Sequence, residues 1–431
     1  MPDEIDPKRF RPEVYAIDFG TTNSLLAAAR SDAVHPPIPL DHTAADATVL
    51  RSLLYFPDST QCFHGAAAVR EYVERGMQGR LIRSLKKHLP SRAFIGTHVE
   101  ERPMNLEDLI GAFLVEMRAR ADRYFDAEVT KVVLGRPARF SSDGADDAHA
   151  QYRLERAAKI AGFREVAFCP EPVAAAREFR KTLLEPRMVL VADFGGGTSD
   201  FTVLRMRHDA YDERDVLAIG GVSVAGDALD SAIMRDHVAR HFGSEVSYRV
   251  PMGNNHLRMP PALMEKICHP ADASLLRSRD AMRFLRDVRG WALSGADQRA
   301  LDQLFILVED CLGFQLFEAI ELAKRTLSEV SEARVEFEYP GVEVCQPVSR
   351  PAFDHSAGPA TRAVAQELDA TLARAGITAA EVDIVCCTGG TARVPTLAAA
   401  LEDRFGPEKL TRFQAFHSVI RGLAEHARGM C

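Results

Sequence analysis

The sequence predicts an α/β fold built from two related halves. Apolar, strand-like runs alternate with helical stretches, the pattern of sheets covered by helices. One phrase occurs twice, as VYAIDFGTTNS at 14–24 and as VLVADFGGGTSD at 189–200. Asp18 and Asp193 occupy matching places in the two copies, 175 residues apart, whereas solenoid repeats recur every ~20–50 residues. We therefore expect a duplicated domain, each copy of which opens on a β-hairpin.

The elements between and after the two copies support this fold. Short strands are predicted at 131–135, 166–168 and 384–387, and helices at 146–161 and 397–403. The turn 388–391 (TGGT) ends the last of these strands. The stretch 243–302 is rich in Arg, Met, Pro and Asn, and it predicts a mixed helix-and-loop insertion rather than core.

Composition excludes several classes of protein. The 431 residues are 46% hydrophobic and 26% charged, which is ordinary for a globular protein and unlike a disordered chain or a coiled coil. The formal charge of −8 predicts neither a nucleic-acid partner nor a membrane-surface partner. The eight cysteines form no CxxC pair, no apolar run reaches ~18 residues, and the amino terminus lacks the apolar core of a signal peptide. We expect a cytoplasmic protein.

The two turns of the repeated phrase are candidate phosphate-binding loops. Glycine allows a ligand to approach the backbone, and successive N–H groups with threonine hydroxyls form a concave anion site. The residues concerned are Gly20, Thr21, Thr22 and Asn23 in the first copy, and Gly195, Gly196, Gly197 and Thr198 in the second. A structural duplication without a ligand is the alternative.

Asp18 and Asp193 each end an apolar strand, where a carboxylate is costly without a partner. A hydrated Mg²⁺ that bridges nucleotide phosphates would be such a partner, because it uses one or two carboxylates and keeps several waters. The alternative is a pair of strand-end aspartates that cap turns. No Walker A, GxGxxG, HExxH or GxSxG motif occurs, so other nucleotide and hydrolase sites are unsupported.

The stretch 311–328 predicts an amphipathic helix with an unusual polar face. Its apolar stripe consists of Leu312, Leu316, Ile320, Ala323 and Leu327. Its polar face carries Glu321, Lys324, Arg325 and Ser328. The centre of this face lies about 130° around the helix axis from the apolar stripe, at 100° per residue. These residues form either a ligand contact or a solvated face with Glu-to-Lys pairs.

Seven phrases together resemble the nucleotide-binding domain of the heat shock protein 70 (DnaK-like) family. They are IDFGTTNS (17–24), VVLGRPARF (132–140), EPVAAA (171–176), VADFGGGTSDFTVL (191–204), AGDALD (225–230), ELAKRTLS (321–328) and TGGTARVP (388–395). They occur in the family's order, interrupted by the insertion. Within the family, the chain looks most like the chaperone-like YegD type, a truncated branch.

The resemblance implies duplicated actin-like (ribonuclease H-like) ATPase lobes around a central nucleotide cleft. Lobe I would span 1–187, completed by a C-terminal helix at 413–431, and lobe II would span 188–412. The ligands implied are ATP or ADP with Mg²⁺, and K⁺ is a further candidate cation. The function implied is slow ATP hydrolysis, with the nucleotide state switching lobe closure. An unidentified protein would serve as client or partner.

The resemblance also assigns roles to residues. The catalytic residues would be Lys86, Glu171, Asp193 and Thr198, although the adjacent Lys87 could take the place of Lys86. The waters of Mg²⁺ would be bound by Asp18 and Asp193, with Asp200 in support. Gly20, Thr21, Thr22, Asn23, Gly195, Gly196 and Gly197 would hold phosphates. Glu321, Lys324, Arg325, Ser328, Gly389, Gly390, Thr391 and Arg393 would hold the adenosine, and Pro137 matches the family's proline switch.

Two departures from the family limit these expectations. The chain ends at Cys431, so we expect no peptide-binding domain, and Phe416 falls where an adenosine-loop aspartate is common. Three alternative functions stay open: a non-hydrolysing, ATP-dependent partner-binding module, a small-molecule kinase of the same superfamily, and an actin-like filament.

Overall fold

The computed structural model describes residues 7–44, 46–76, 78–141, 143–180, 185–207, 213–269, 276, 278–310, 312–412 and 417–431. The chain divides into two compact units. The first comprises Met1–Ser223, Glu367–Ala392 and Leu401–Cys431, and the second comprises Val224–Gln366 and Arg393–Ala400.

The strands of the described residues are β1 (Val14–Phe19), β2 (Asn23–Arg30), β3 (Ala33–His35), β4 (Leu50–Arg51), β5 (Leu53–Phe56), β6 (Phe63–His64), β7 (Arg80–Arg83), β8 (Gly96–Val99), β9 (Arg102–Asn105), β10 (Lys131–Arg136), β11 (Glu165–Pro170), β12 (Arg187–Phe194), β13 (Ser199–Met206), β14 (Val216–Val222), β15 (Ser247–Tyr248), β16 (Leu257–Arg258), β17 (Glu332–Tyr339), β18 (Val342–Ser349), β19 (Ile384–Thr388) and β20 (Leu410–Arg412).

The α-helices of the described residues are α1 (Gly65–Glu74), α2 (Leu106–Phe125), α3 (Gly144–Ile160), α4 (Glu171–Arg180), α5 (Gly226–Ile233), α6 (Pro261–Met264), α7 (Arg279–Trp291), α8 (Gly295–Glu309), α9 (Gly313–Leu327), α10 (Arg350–Ala375), α11 (Pro395–Phe405) and α12 (His417–Ala427). None of them combines the length and the apolarity that a bilayer crossing requires.

The first unit contains two sheets with the same plan. The strand order is β11-β10-β1-β2-β3 in one and β20-β19-β12-β13-β14 in the other. In each, the central strand pairs antiparallel with the strand that follows it in sequence, and parallel with a strand much further along the chain. The repeated phrase forms the two central hairpins, β1–β2 and β12–β13. The duplicated α/β fold is thus confirmed.

Helices cover both faces of the first sheet, which explains why β1 is apolar throughout. Tyr15 and Ile17 on one face pack in a cluster with α2 and α3 residues. Val14 and Ala16 on the other face pack in a cluster with α4 and α12 residues. Because successive strand residues point to opposite faces, a strand covered on both sides must be apolar at every position. This packing fixes the carboxyl end of β1, where Asp18 lies.

The second sheet also has an apolar cluster, formed by residues of its own strands. Val189 and Val191 of β12 pack with Leu204 and Cys386 in a buried cluster. Cys386 and Cys387 are buried within β19, as the apolar run around them predicts. The predicted strands at 131–135, 166–168 and 384–387 correspond to β10, β11 and β19, and the predicted helices to α3 and α11.

The second unit contains α9 packed on the β17–β18 hairpin. The apolar stripe predicted for this helix is buried: Leu312, Leu316, Ile320, Ala323 and Leu327 are at most 2% exposed. The stretch 243–302 is more ordered than the sequence predicts. It contains a short β15–β16 hairpin as well as helices, and Val246, Leu285 and Leu301 are buried within it. Hydrophobic periodicity does not indicate this hairpin, because each of its strands is only two residues long.

Candidate functional site

Four charged side chains of the first unit come from four different elements. Asp18 and Asp193 are the penultimate residues of β1 and β12. Glu171 opens α4 directly after β11, and Lys86 lies in a 3₁₀ helix, Leu85–His88. The pKa of Asp18 is shifted by Glu171, Lys86 and Asp193, so these groups interact electrostatically. The structure therefore brings together residues that are up to 175 positions apart in sequence.

Lys86 and Glu171 form a buried ion pair. Lys86 Nζ donates to Glu171 Oε1 at 2.7 Å, and the two side chains are 11% and 12% exposed. Burial would lower the pKa of Lys86, yet Glu171, Asp18 and Asp193 together raise it above its ordinary value. Lys86 therefore remains a cation, held in one place by the carboxylate that faces it.

Asp18, Asp193 and Asp200, together with Glu171, form a charged cluster in which negative charges repel one another. Burial, followed by repulsion from Glu171, raises the pKa of Asp18 to about 7. Burial and the charge of Asp193 raise the pKa of Asp200 to about 7, because Asp193 and Asp200 lie opposite each other on β12 and β13. The pKa of Asp193 is also raised, first by burial and then by Glu171. Such a cluster favours a bound cation or a proton.

Two threonines orient these carboxylates. Thr388 at the end of β19 donates to Asp193 Oδ1 at 2.9 Å, and Thr198 donates to Asp200 Oδ2 at 2.8 Å. Sequence analysis assigned no role to Thr388 alone. The sequence does place Thr388 at the end of an apolar strand. Because β19 runs parallel to β12, that position lies beside Asp193.

The first glycine loop is fixed by a side chain that sequence analysis did not single out. Ser52 Oγ donates to the Gly20 carbonyl at 2.8 Å, and the Ser52 N–H donates to the Thr22 carbonyl at 2.8 Å. Gly20 must lack a side chain, because a Cβ there would lie 2.1 Å from the Asn23 carbonyl oxygen. Thr21, Thr22 and Asn23 remain partly exposed, so their polar groups can reach a ligand.

The second glycine loop is joined to the segment that follows β19. The Gly195 N–H donates to the Thr198 carbonyl at 2.9 Å, which closes the turn. Thr391 Oγ1 donates to the Gly195 carbonyl at 2.8 Å. A Cβ on Gly197 would lie 2.9 Å from Lys87 Nζ, so the Lys87 side chain passes over this loop. The two adjacent lysines thus differ: Lys86 pairs with Glu171, and Lys87 contacts the glycine loop.

The remaining adenosine candidates, Glu321, Lys324, Arg325, Ser328 and Arg393, belong to the second unit. There, Lys324 Nζ lies 2.8 Å from both carboxylate oxygens of Asp230 and 3.3 Å from the Gly226 carbonyl oxygen. Lys324 is only 7% exposed. Burial raises the pKa of Asp230 to about 6, although Lys324 opposes the shift. The ammonium of Lys324 is therefore already bound, whereas Arg325 and Arg393 are at least partly exposed. Phe416 lies outside the described residues.

Comparison with protein families decides the membership of the chain. The family model described as Hsp70 protein matches residues 59–259 and 309–428. The chain belongs to the Hsp70 family. Its two-sheet architecture is accordingly the actin-like fold of the Hsp70 ATPase domain. The gap between the matched ranges, 260–308, contains most of the stretch predicted as an insertion.

Individual Hsp70-family relatives are distant in sequence. The chain is 26% identical over 431 residues to the chaperone protein HscA homolog of Pseudomonas paraeruginosa, and 26% identical over 429 residues to that of Methylobacillus flagellatus. Each alignment covers 95% of this chain and 57% of the relative. Heat shock 70 kDa protein BIP3 of Oryza sativa is 28% identical over 310 residues, or 71% of this chain and 36% of that protein. The chain thus spans about half the length of its HscA relatives.

A cavity of about 240 Å³ adjoins the charged cluster in this Hsp70-family chain. Glu171, Asp193 and Asp200 line one part of it, and the segments 137–141 and 219–223 line another. Pro137, the candidate proline switch, therefore borders the same cavity as Glu171.

The cluster fits a hydrated magnesium ion better than a directly ligated metal. Among the described residues, no group of three or more His, Cys, Asp or Glu side chains is arranged to hold a metal ion. Asp18, Asp193 and Asp200 nevertheless supply buried carboxylate oxygens, and their raised pKa values reflect burial and mutual repulsion that a cation would relieve. Mg²⁺ retains water and takes phosphate oxygens as ligands, so carboxylates near, but not around, the ion suit it.

Gly389 is expected to be intolerant of any side chain. Its φ is +82°, and a Cβ there would lie 2.1 Å from the Phe194 carbonyl oxygen. We expect Gly389→Ala to lower the free energy of unfolding by more than about 2 kcal/mol, and to weaken nucleotide binding by displacing the segment 389–391. Urea unfolding and nucleotide titration measure the two effects. Gly376→Ala is the control, because Gly376 has a φ of +70° but a Cβ there would meet no atom within 4 Å. Equal losses in both variants would contradict the steric argument.

Proposed function

We propose that this chain binds ATP with Mg²⁺ and hydrolyses it slowly, as a chaperone-like member of the Hsp70 family. The observation that carries the proposal is the buried Lys86–Glu171 pair beside three aspartates and two glycine loops in the first unit. Positive groups and anion-binding backbone stand next to buried acidic groups that repel one another. A magnesium–polyphosphate ligand would satisfy both.

Binding of the phosphates would fall to the two loops. Backbone N–H groups of Gly20 to Asn23, Gly196 and Gly197 would donate to phosphate oxygens. Lys87 adds a cation above Gly197. The adenosine would be held by the residues that the family resemblance assigns to it, which are Glu321, Lys324, Arg325, Ser328, Gly389, Gly390, Thr391 and Arg393. Lys324 would act there mainly by fixing its own helix, because its ammonium is paired with Asp230.

Hydrolysis would depend on position and charge. The oxygen of a water molecule forms a bond to the γ-phosphorus, the bond to the β–γ bridging oxygen breaks, and ADP leaves with that electron pair while the water loses a proton. Lys86 would stabilise the charge on the transferring group, and Glu171 holds it in place. Thr198 would orient water with Asp200. Mg²⁺, when bound through water by Asp18 and Asp193, would neutralise phosphate charge. Without a dedicated base, turnover would be slow.

Slow ATP hydrolysis would suit a conformational switch that is controlled by the bound nucleotide. The nucleotide state would set the closure of the two lobes, and Pro137 would transmit that state through the cavity it shares with Glu171. The readout would be the binding of a protein partner or client in the cytoplasm. The HscA homologues are named as chaperones and the rice relative as a heat shock protein, which supports this assignment.

Calorimetric titration of the intact chain with ATP and ADP, each with Mg²⁺, followed by single-turnover phosphate release, tests the proposal. We expect tight binding of both nucleotides and slow release of phosphate. Binding without release would favour a non-hydrolysing module, transfer of phosphate to a small acceptor would favour a kinase, and ATP-dependent sedimentation would favour a filament. Absence of binding would overturn the nucleotide site altogether.

A further inference from the structure

A loop at 249–258 projects apolar side chains into solvent. It comprises the connection between β15 and β16 in the second unit together with β16 itself, and every residue from Arg249 to Arg258 is exposed. Val250 is 36% exposed, Leu257 is 41% exposed, and Met252 is exposed to its full extent, at 106%. Single exposed apolar residues are ordinary on protein surfaces, but three within one projecting loop indicate a contact surface.

The base of this loop is firmly held. The ring of Tyr248 stacks on that of Trp291 with 6.3 Å between the ring centroids, and it contacts Phe284 edge-on with 6.2 Å between the centroids. These contacts fix β15 to α7. The Arg249 N–H donates to the Trp291 carbonyl at 3.1 Å, and the Leu293 N–H donates to the Ser247 carbonyl at 3.2 Å. The loop is therefore presented on a fixed base, which lowers the entropy lost on binding.

Met252 has a backbone conformation that few non-glycine residues adopt. Its φ is +65°, in the left-handed region, and the Gly253 N–H donates to the Val250 carbonyl at 2.9 Å to form the turn. Left-handed backbone at a non-glycine residue has an energetic cost, and it recurs at functional sites. Here the conformation places a large apolar side chain at the tip of the loop.

Arginines that have no acidic partner among the described residues occur beside the loop and on α7, the helix against which β15 packs. Arg249 and Arg258 flank the loop, and Arg279, Arg283 and Arg286 recur at helical spacing along the exposed face of α7. Within the described residues, none of these five guanidinium groups forms a hydrogen bond or an ion pair. Arg289, by contrast, pairs with Asp302 at 2.5 Å. Asp280 and Asp287 are also exposed on α7, but its four arginines outnumber them.

The family model matches only part of this basic surface, since the loop 249–258 lies inside the matched range 59–259. The stretch 260–308, which contains α7, lies outside the ranges matched by the family model. The whole chain has a formal charge of −8, yet residues 243–302 contain nine Lys or Arg and seven Asp or Glu. A locally basic region favours a partner that presents acidic residues to it.

We propose that the loop 249–258 and the arginine stripe of α7 bind a protein partner that surrounds an apolar pocket with acidic residues. Met252 enters the pocket, and the arginines contact the carboxylates around it. Methionine suits this role because its flexible, polarisable side chain adapts to irregular apolar surfaces. A nucleic acid fits less well, since the loop 249–258 contains no Phe, Tyr or Trp for base stacking and the chain as a whole is negative.

Fluorescence anisotropy of the intact chain tests the proposal. The probe is a labelled short peptide in which glutamates flank a leucine-phenylalanine core, and its counterpart carries glutamine in place of glutamate. We expect the acidic peptide to bind more tightly than its counterpart, and salt to weaken the binding. Met252→Ser and the triple variant Arg279→Gln, Arg283→Gln, Arg286→Gln should each raise the Kd about tenfold. Hydrogen exchange should show protection at 249–258 when the peptide is bound.

Matched variants separate the site from general surface effects. Leu322→Ser alters an apolar side chain that is 63% exposed elsewhere in the second unit, and Arg334→Gln alters an exposed arginine of β17. Neither control should change the Kd. Three results would each overturn the proposal: no binding of the acidic peptide, equal losses in the control variants, or tighter binding of duplex DNA or anionic vesicles that Met252→Ser leaves unchanged. ATP hydrolysis should be the same in all these variants, so failure here is distinct from failure of the nucleotide site.

Discussion

Replacing Lys86 by alanine is expected to slow single-turnover ATP hydrolysis by about 10²- to 10³-fold, the usual cost of losing one preorganised charge-stabilising group. ATP binding should weaken far less, because the two glycine loops remain. The same change should also destabilise the nucleotide-free protein by about 3 kcal/mol, since it leaves Glu171 buried at 12% exposure without its cation. A stability loss and a rate loss should therefore appear together.

Lys159→Ala is the matched control for this prediction. Lys159 pairs with Glu155 at 2.7 Å, the same distance as in the Lys86–Glu171 pair, but its side chain is 56% exposed. Solvent-exposed pairs contribute about 0–1 kcal/mol, so Lys159→Ala should alter neither stability nor hydrolysis appreciably. Quench-flow phosphate release and urea unfolding give the two readouts. Unchanged phosphate release in Lys86→Ala would remove Lys86 from the catalytic role and leave its pairing as a structural feature.

The fold could be predicted because its decisive signal is local. Each copy of the repeated phrase belongs to a buried strand, a glycine turn and a returning strand that follow one another directly, at 14–30 and 187–206, so the duplication is visible without long-range information. The β15–β16 hairpin gives no comparable signal. It is stabilised by Tyr248 and Trp291, which are 43 positions apart, and periodicity does not register such a contact.

In the candidate site, too, residues with a local sequence signal could be predicted and residues that act through distant contacts could not. The glycine loops and strand-end aspartates are conspicuous in sequence, and the structure places the aspartates in one charged cluster. Ser52 and Thr388 give little signal, because each acts through a contact with a distant segment. Lys324 shows a further limit: its spacing identifies it as part of a polar face, but only the structure shows that Asp230 binds its ammonium. The individual site assignments stay predictions until nucleotide binding is measured.

Asp200→Asn is expected to make the nucleotide-free protein more stable at pH 8, by roughly 2–4 kcal/mol. Burial and the neighbouring Asp193 raise the pKa of Asp200 from 3.8 to about 7. From about pH 4 to pH 7 the folded protein therefore retains a proton that the unfolded chain has released. Stability falls as pH rises through this interval, and above it the folded state bears the whole cost of the buried charge. Asparagine has no such charge, and its amide oxygen can still accept the hydrogen bond from Thr198.

Urea unfolding at pH 8, 6 and 4.5 measures this effect. The advantage of Asp200→Asn should be largest at pH 8 and should fall to about 1 kcal/mol at pH 4.5, where the wild-type carboxyl group is protonated in the folded state but mostly ionised in the unfolded chain. Asp58→Asn is the control: hydrogen bonds from Thr60 and Gln61 lower the pKa of this exposed carboxyl group, so its removal should give no stabilisation at pH 8. Mg²⁺ and ATP should stabilise the wild type more than Asp200→Asn, because a bound cation relieves the repulsion that the substitution has already removed. A variant less stable than wild type at pH 8 would mean that the carboxylates are not under electrostatic strain, and the main physical reason for placing a cation among them would be lost.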